Sequence, residues 1–319
     1  MKKNSIYLAL LCTQLSFGHA KKEPTNRFSF QKMALELEED CDACGCSASG
    51  GSMGFSSMLN SNFVGLRYFN QSYSSRDGIF ANSPWVNENF NTIQIWSKIP
   101  ITEKLQISTL IPYQFHNRER STGTENIQGL GDITVMGMYS VFQTHKDSTV
   151  FVHKLQLGGG IKIPTGKFDE ANNSGSVNKS FQVGTGSWDY LLATEYVIKK
   201  SQLGVSTMLN YTLKTKNKKQ YQFGNQFNYG STLFYLFDLP TIKIVPQAGI
   251  AGEIYKSNSQ YGEQLPETAG DILFSKFGLE IGITNFSLGI NTMLPINQHL
   301  SNSKIEANYR WSINLNYSL

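Results

Sequence analysis

Residues 304–319 read Lys304-Ile305-Glu306-Ala307-Asn308-Tyr309-Arg310-Trp311-Ser312-Ile313-Asn314-Leu315-Asn316-Tyr317-Ser318-Leu319. Every odd position from Ile305 to Leu319 is apolar or aromatic, and every even position from Lys304 to Ser318 is polar or charged. A repeat of two places side chains on opposite faces of an extended chain, so the stretch predicts a strand and excludes a helix. A strand that is greasy along one whole face, at the C-terminal end of an exported chain, reads as the closing strand of an outer-membrane β-barrel.

Export is read from the other end. Lys2 and Lys3 precede an apolar run from Ile6 to Leu15, and small residues follow up to Gly18-His19-Ala20. This predicts a signal peptide over 1–20, cleaved after Ala20. A lipoprotein reading through Cys12 is disfavoured by the bulky Leu11 before it and by the short apolar run that precedes it. Further along, no run of about 18 apolar residues follows, so any crossing of a membrane falls to strands. Strands can cross only as a closed barrel, because hydrocarbon offers nothing to satisfy an open sheet edge.

Loss of Lys2 and Lys3 lowers the basic residues from 28 to 26 against 24 acids, a net charge of about +2 that implies no nucleic-acid partner. The aromatic share of 12%, mostly Phe and Tyr, suits the aromatic girdles of barrels.

Alternation bounded by turn residues predicts twelve strands, at 61–71, 89–99, 104–114, 130–142, 150–163, 188–198, 202–213, 222–237, 241–254, 271–282, 285–293 and 305–319. Short links such as 100–103, 199–201 and 283–284 alternate without exception with long Asn/Ser/Gly-rich ones such as 164–187 and 255–270. An up-and-down antiparallel barrel has that order, with tight periplasmic turns and long outer loops. The fold class is therefore all-β, a transmembrane barrel over 61–319, preceded by a segment 21–60 that is periplasmic or inserted into the lumen.

The polar series of each strand is expected to face a wet interior. It includes Arg67, Asp132, Lys154, Lys162, Asp189, Glu195, Lys243, Glu253, Lys276, Glu280 and Arg310. Charge of either sign pointing at lipid near the midplane is disfavoured, by roughly 2–4 kcal/mol for Lys or Arg. Both signs occur, so the interior favours mutual ion pairs over a ladder selective for one charge.

Three Gly-rich segments punctuate the strands: Gly129-Leu130-Gly131-Asp132, Ile163-Pro164-Thr165-Gly166-Lys167-Phe168-Asp169, and Gly184-Thr185-Gly186-Ser187-Trp188-Asp189. Glycine at such strand-to-loop junctions permits close backbone approach or positive φ. A phosphate-binding reading of 159–168 fails on the Gly160 to Gly166 spacing and on Phe168, which stands where Ser or Thr is required. In order and spacing the three segments resemble the Putative MetA-pathway of phenol degradation family of outer-membrane barrels, over about 129–319. That resemblance implies passage of small aromatic or apolar solutes. It carries over no site residue, and Leu319 replaces the aromatic residue usual at the end of such chains.

Cys41-Asp42-Ala43-Cys44-Gly45-Cys46 follows the acidic run Glu36, Glu38, Glu39 and Asp40. Three soft thiols in one tight loop, with the thioether of Met53 nearby, favour Cu(I), with zinc as second choice. A disulfide from Cys41 to Cys44 or Cys46, leaving one free thiol, is the competing reading. The expected function is thus an outer-membrane channel for small solutes, in contact with outer-membrane lipid and with barrel-assembly machinery through the C-terminal strand. A copper- or zinc-linked protein and a structural or adhesin-like barrel are the alternatives. His299 lies near Ser301, but no triad-like carboxylate stands out in the sequence, so no enzyme is expected.

Overall fold

The computed structural model describes residues 57–76, 83–120, 123–144, 150–169, 171–172, 175–176 and 181–319. The expected signal peptide, the Cys41, Cys44 and Cys46 loop, and Met53 lie outside the described residues. Twelve antiparallel strands make up the barrel. They are β1 (Phe63–Arg76), β2 (Trp85–Pro100), β3 (Leu105–Arg120), β4 (Ile133–Gln143), β5 (Val152–Ile163), β6 (Asp189–Lys200), β7 (Leu203–Leu213), β8 (Gln226–Tyr235), β9 (Lys243–Tyr255), β10 (Gly270–Ile283), β11 (Phe286–Leu300) and β12 (Ile305–Ser318). Each pairs with its neighbour in sequence, and β12 returns to β1 from Phe63↔Ser318 to Ser75↔Ile305. Closure pairs every edge, the condition a lipid-embedded sheet must meet.

The outer face of the wall is apolar. On β7, Leu203, Leu209 and Leu213 are exposed while Gly204, Ser206, Asn210 and Thr212 are buried. Tyr139, Phe142, Phe151, Tyr196, Phe237, Phe286 and Tyr317 are exposed towards the short-turn end, and Trp85, Trp188, Tyr190 and Tyr309 towards the other. These are the two interfacial girdles of a membrane barrel. The protein is an all-β outer-membrane β-barrel, and both ends of the strand circuit, Phe63 and Ser318, sit at the short-turn, periplasmic end.

Three expectations change. The third strand runs to Arg120, and 123–130 folds back on it, pairing Tyr113↔Leu130 through Arg120↔Gly123. The eleventh strand runs to Leu300, so the last outer connection is the short turn Ser301–Ser303, and the alternation of short and long links breaks there. In both cases the strand rises past the hydrocarbon, where water meets the outward side chains and the polar/apolar alternation fades. The third change concerns β12: Ser72 faces Tyr309 but Tyr73 faces Ala307, so Asn308 bulges out. The bulge reverses the phase. Ile305 and Ala307, expected on the lipid face, are buried inside at 1% and 2% exposure.

Candidate functional site: the barrel interior

The interior is built from the inward series of the strands and from the link between β5 and β6. Within that link Phe181, Gln182 and Val183 are all at most 2% exposed. Its anchor is the three Gly-rich segments, which converge on Asp132. The Asp132 carboxylate accepts the backbone N–H of Gly166 (3.0 Å) and of Thr185 (2.9 Å) and the Thr185 hydroxyl (2.7 Å). It also pairs with Lys162 Nζ at 2.9 Å, and Lys162 reaches Asp189 at 2.7 Å. Ser187 Oγ donates to the far oxygen of Asp189 at 2.9 Å. Lys162 donates to the Thr185 hydroxyl as well.

Glycine is required where the segments touch. A Cβ on Gly184 would stand 2.5 Å from the Gly166 backbone, and one on Gly166 2.8 Å from Gly184 Cα. Gly186 has φ +68° and packs under the Phe168 ring. The motif is thus a buried ion-pair knot that pins the link, whose Phe181 and Val183 are buried in the barrel's apolar cluster.

Around that link, the outer half of the interior carries an apolar cluster set among buried ion pairs. Phe69, Tyr73, Phe90, Phe181, Val183, Tyr255, Ile272, Phe274, Met293, Leu300 and Ile305 form one cluster. Phe90 packs edge-on against Phe181 (5.9 Å), Tyr73 (5.8 Å) and the buried His116 (5.0 Å). Below it Arg310 holds Glu253 in a bidentate pair, 2.7 and 2.9 Å, with its guanidinium 4.4 Å from the Phe274 ring centre. Tyr255 donates to the same carboxylate. Arg118 and Glu88 form a second pair at 2.8 Å.

The periplasmic half is instead rich in amides. Arg67 donates to Asn314 Oδ1 (2.7 Å) and lies 3.7 Å over the Trp96 ring. Gln94, Gln247, Asn291, Asn314 and Asn316 are buried around it. Glu280 receives the incoming chain: it accepts Ser57 Oγ (2.6 Å) and the N–H groups of Met58 (2.8 Å) and Leu59 (3.3 Å), along with Ser287 Oγ (2.8 Å).

Of the charged residues read as lumen-facing, Arg67, Asp132, Lys162, Asp189, Glu253, Lys276, Glu280 and Arg310 are at most 5% exposed. Lys276 donates to Thr232 Oγ1 at 2.7 Å. Glu195 pairs with Lys98 at 3.5 Å, and Lys154 is half-buried. Lys243 sits at the periplasmic rim, exposed and 4.0 Å from Asp238, so it belongs to the mouth and not to the bore. The expected wet lumen is packed at these positions, with its charges engaged side by side. Sequence reasoning missed Phe181 and Val183, which sit in a link that otherwise reads as solvent-exposed.

The sequence pattern of the family described as Putative MetA-pathway of phenol degradation matches residues 85–292, more than half of the chain. The chain belongs to that family. Among solved structures, this family member is similar to the COG4313 outer membrane channel from Pseudomonas putida F1, at 12% identity and TM-score 0.63 over 83% of this chain and 98% of that one. It is also similar to the beta domain of the Bordetella autotransporter BrkA, at 10% identity and TM-score 0.47 over 81% and 99%. None of the curated proteins matches it. The first likeness is one of fold and agrees with a twelve-strand barrel in a Gram-negative outer membrane.

Proposed function

We propose that this barrel is an outer-membrane channel for small, uncharged solutes, including aromatic and apolar ones. The observation that carries the reading is the aromatic cluster inside the wall. Tyr73, Phe90, Phe181 and Phe274 face the interior, where a purely structural barrel would be served equally well by paired polar groups. An apolar solute gains from burial against such rings, about 25 cal/mol for each Å² removed from water. Because the rings are packed, passage requires the Phe181 end of the link to move aside while the Asp132 knot holds its base. The membership of the family and the fold shared with the COG4313 outer membrane channel support the same reading.

Catalysis is not part of this reading. His299 Nδ1 lies 3.7 Å from Asp271 and both are exposed, whereas Ser301 is buried, so the three do not share one accessible site. The copper or zinc reading of Cys41, Cys44, Cys46 and Met53 rests on the sequence alone, and so does recognition of the last strand by assembly machinery. Liposomes holding the folded protein should swell in small uncharged solutes, and Phe181→Ala should swell faster. Folded protein that admits no solute refutes the channel.

A further inference from the structure

We propose that the lipid-facing wall at the periplasmic end of β5 and β6 carries a binding site for the phosphate of an anionic phospholipid, built from His153, Tyr196 and Lys200. The inference rests on how the wall sits in the membrane and not on which solute the bore admits. The register Val152↔Lys199, His153↔Ile198 and Leu155↔Tyr196 puts His153, Tyr196 and Lys200 on one outward series with Phe151. Lys200 Nζ stands 5.1 Å from the centre of the Phe151 ring, and the His153 imidazole stacks on the Tyr196 ring at 6.1 Å. Phe151 and Tyr196 are 48% and 38% exposed, so the cluster is open to lipid.

An aromatic girdle by itself needs neither an imidazole nor an ammonium, and here both are held in place. The Tyr196 hydroxyl lies 2.7 Å from His153 Nδ1. When it donates there, the ring proton sits on Nε2, which then donates to an anion. Thr144 fixes the backbone of the same residue: its hydroxyl accepts the His153 N–H at 2.8 Å, and its own N–H donates to the His153 carbonyl at 3.0 Å. Lys200 is exposed beside Leu203, where an ammonium at the interface costs little against lipid and gains from a negative headgroup. Charge separates this place from the rest of the rim. Lys98 faces Glu195 and Lys243 faces Asp238, whereas no carboxylate among the described residues pairs with Lys200 or His153.

The wall beyond the cluster leaves room for an acyl chain. Gly137 and Gly159 lie opposite each other on the outward series of β4 and β5, between Ile107 of β3 and Leu192 of β6. A Cβ on either would meet nothing nearer than 3.9 and 3.7 Å, so the surface is recessed across two strands. At about 3.3 Å per residue and a tilt of about 40°, the path from His153 to Gly159 descends about 15 Å into the hydrocarbon, roughly one leaflet.

The test uses the full mature chain folded in dodecyl maltoside. Dioleoylphosphatidylglycerol should raise the unfolding temperature saturably. Dioleoylphosphatidylcholine, whose ammonium meets Lys200, and inorganic phosphate, which has no chain to bury, should not at equal concentration. Lys200→Gln and His153→Phe should each weaken phosphatidylglycerol about fivefold, the scale of one basic residue at an anionic surface, while Lys243→Gln should leave it unchanged. Tyr196 is a positioning residue, so Tyr196→Phe should weaken the lipid in the native background and have no effect in His153→Phe. Heat-modifiable gel migration checks that each variant is folded. A response matched by phosphatidylcholine or by inorganic phosphate, retained in folded Lys200→Gln and His153→Phe, or lost equally in Lys243→Gln overturns the site and leaves an ordinary girdle. Binding with no solute flux in liposomes would keep the site and end the channel reading; flux without binding would do the reverse.

Discussion

The two halves of the interior share one wall and one alternation of faces, yet they are filled in opposite ways. The outer half combines an apolar cluster with ion pairs: rings from β1, β2 and β10 close around Phe181, and the charges beside them sit in pairs such as Arg310 with Glu253 and Arg118 with Glu88. The periplasmic half is made of amides, with Trp96, Gln247 and Asn316 keeping unpaired hydrogen-bonding atoms. The contrast teaches that closing a barrel does not dictate its contents. Packing around Phe181 in one half holds a loop in place, and in the other the amides and Glu280 hold the wall and the incoming chain.

The largest effect should come from the base of the outer half. Asp132→Ala removes the acceptor of Gly166, Thr185 and Lys162 and leaves a buried ammonium with one carboxylate fewer. Breaking a buried pair by deleting one partner costs about 3–5 kcal/mol. Thermal unfolding in detergent should fall accordingly, and protease should cut the 164–188 link in the variant first. Unchanged stability would mean that the Gly-rich segments do not anchor the link.

Phe181→Ala should cost somewhat less than a full core truncation, about 3 kcal/mol, because the cavity it leaves can open to the outer mouth. Denaturant midpoints check this. If the loss equals that of Gln94→Ala in the periplasmic half, the difference between the halves is not one of packing.

The periplasmic half should respond more mildly. Glu280→Gln weakens the charge-assisted hydrogen bonds to Ser57, Met58 and Leu59 by an amount in the range of about 1.5–3 kcal/mol. Its main readout is local: Ser57→Cys should react faster with maleimide in the Glu280→Gln background, with the barrel's unfolding little moved. Equal rates would show that Glu280 does not hold the incoming chain.

The smallest effect lies outside the membrane. In the link between β9 and β10, the hydrogen bond from Lys304 (2.5 Å), and after it that from Asn302 (3.0 Å), hold the Glu267 carboxyl below its usual range. Its folded value is depressed, so its contribution is full above the ordinary carboxylate pKa and is lost as pH falls through the lower folded value. Glu267→Gln should therefore flatten the acid limb of the stability curve slightly, and high salt should erase the difference. A shift on the alkaline side would contradict the assignment.

The sequence exposed the wall far better than its contents. Within the hydrocarbon, one face meets lipid and the other does not, and strands such as β7 show it from Leu203 to Leu213 with Thr207 and Met208 as the exceptions. Where strands rise into water, as at Phe115 to Arg120, both faces tolerate polar groups and the signal vanishes. Bulges at Asn308, between Met293 and Leu300 of β11, and after Ser140 reverse the phase without any mark in composition. The Asp132 knot was visible as three Gly-rich segments, but its meeting point joins residues 53 apart in sequence. Phe181 looked like a loop residue because the link around it is rich in Asn, Ser and Gly. Nothing local announces that a link turns inward.

The most direct test of the account is a label scan along β7 in reconstituted bilayers. With Cys41, Cys44 and Cys46 replaced by Ser, single cysteines from position 203 to 213 carry a fluorophore exposed to nitroxide lipid. Strong quenching at 203, 205, 207, 209, 211 and 213 with little at the even positions is the predicted result. Quenching that does not alternate, or that is absent throughout, would contradict a wall with lipid on one side and a packed interior on the other.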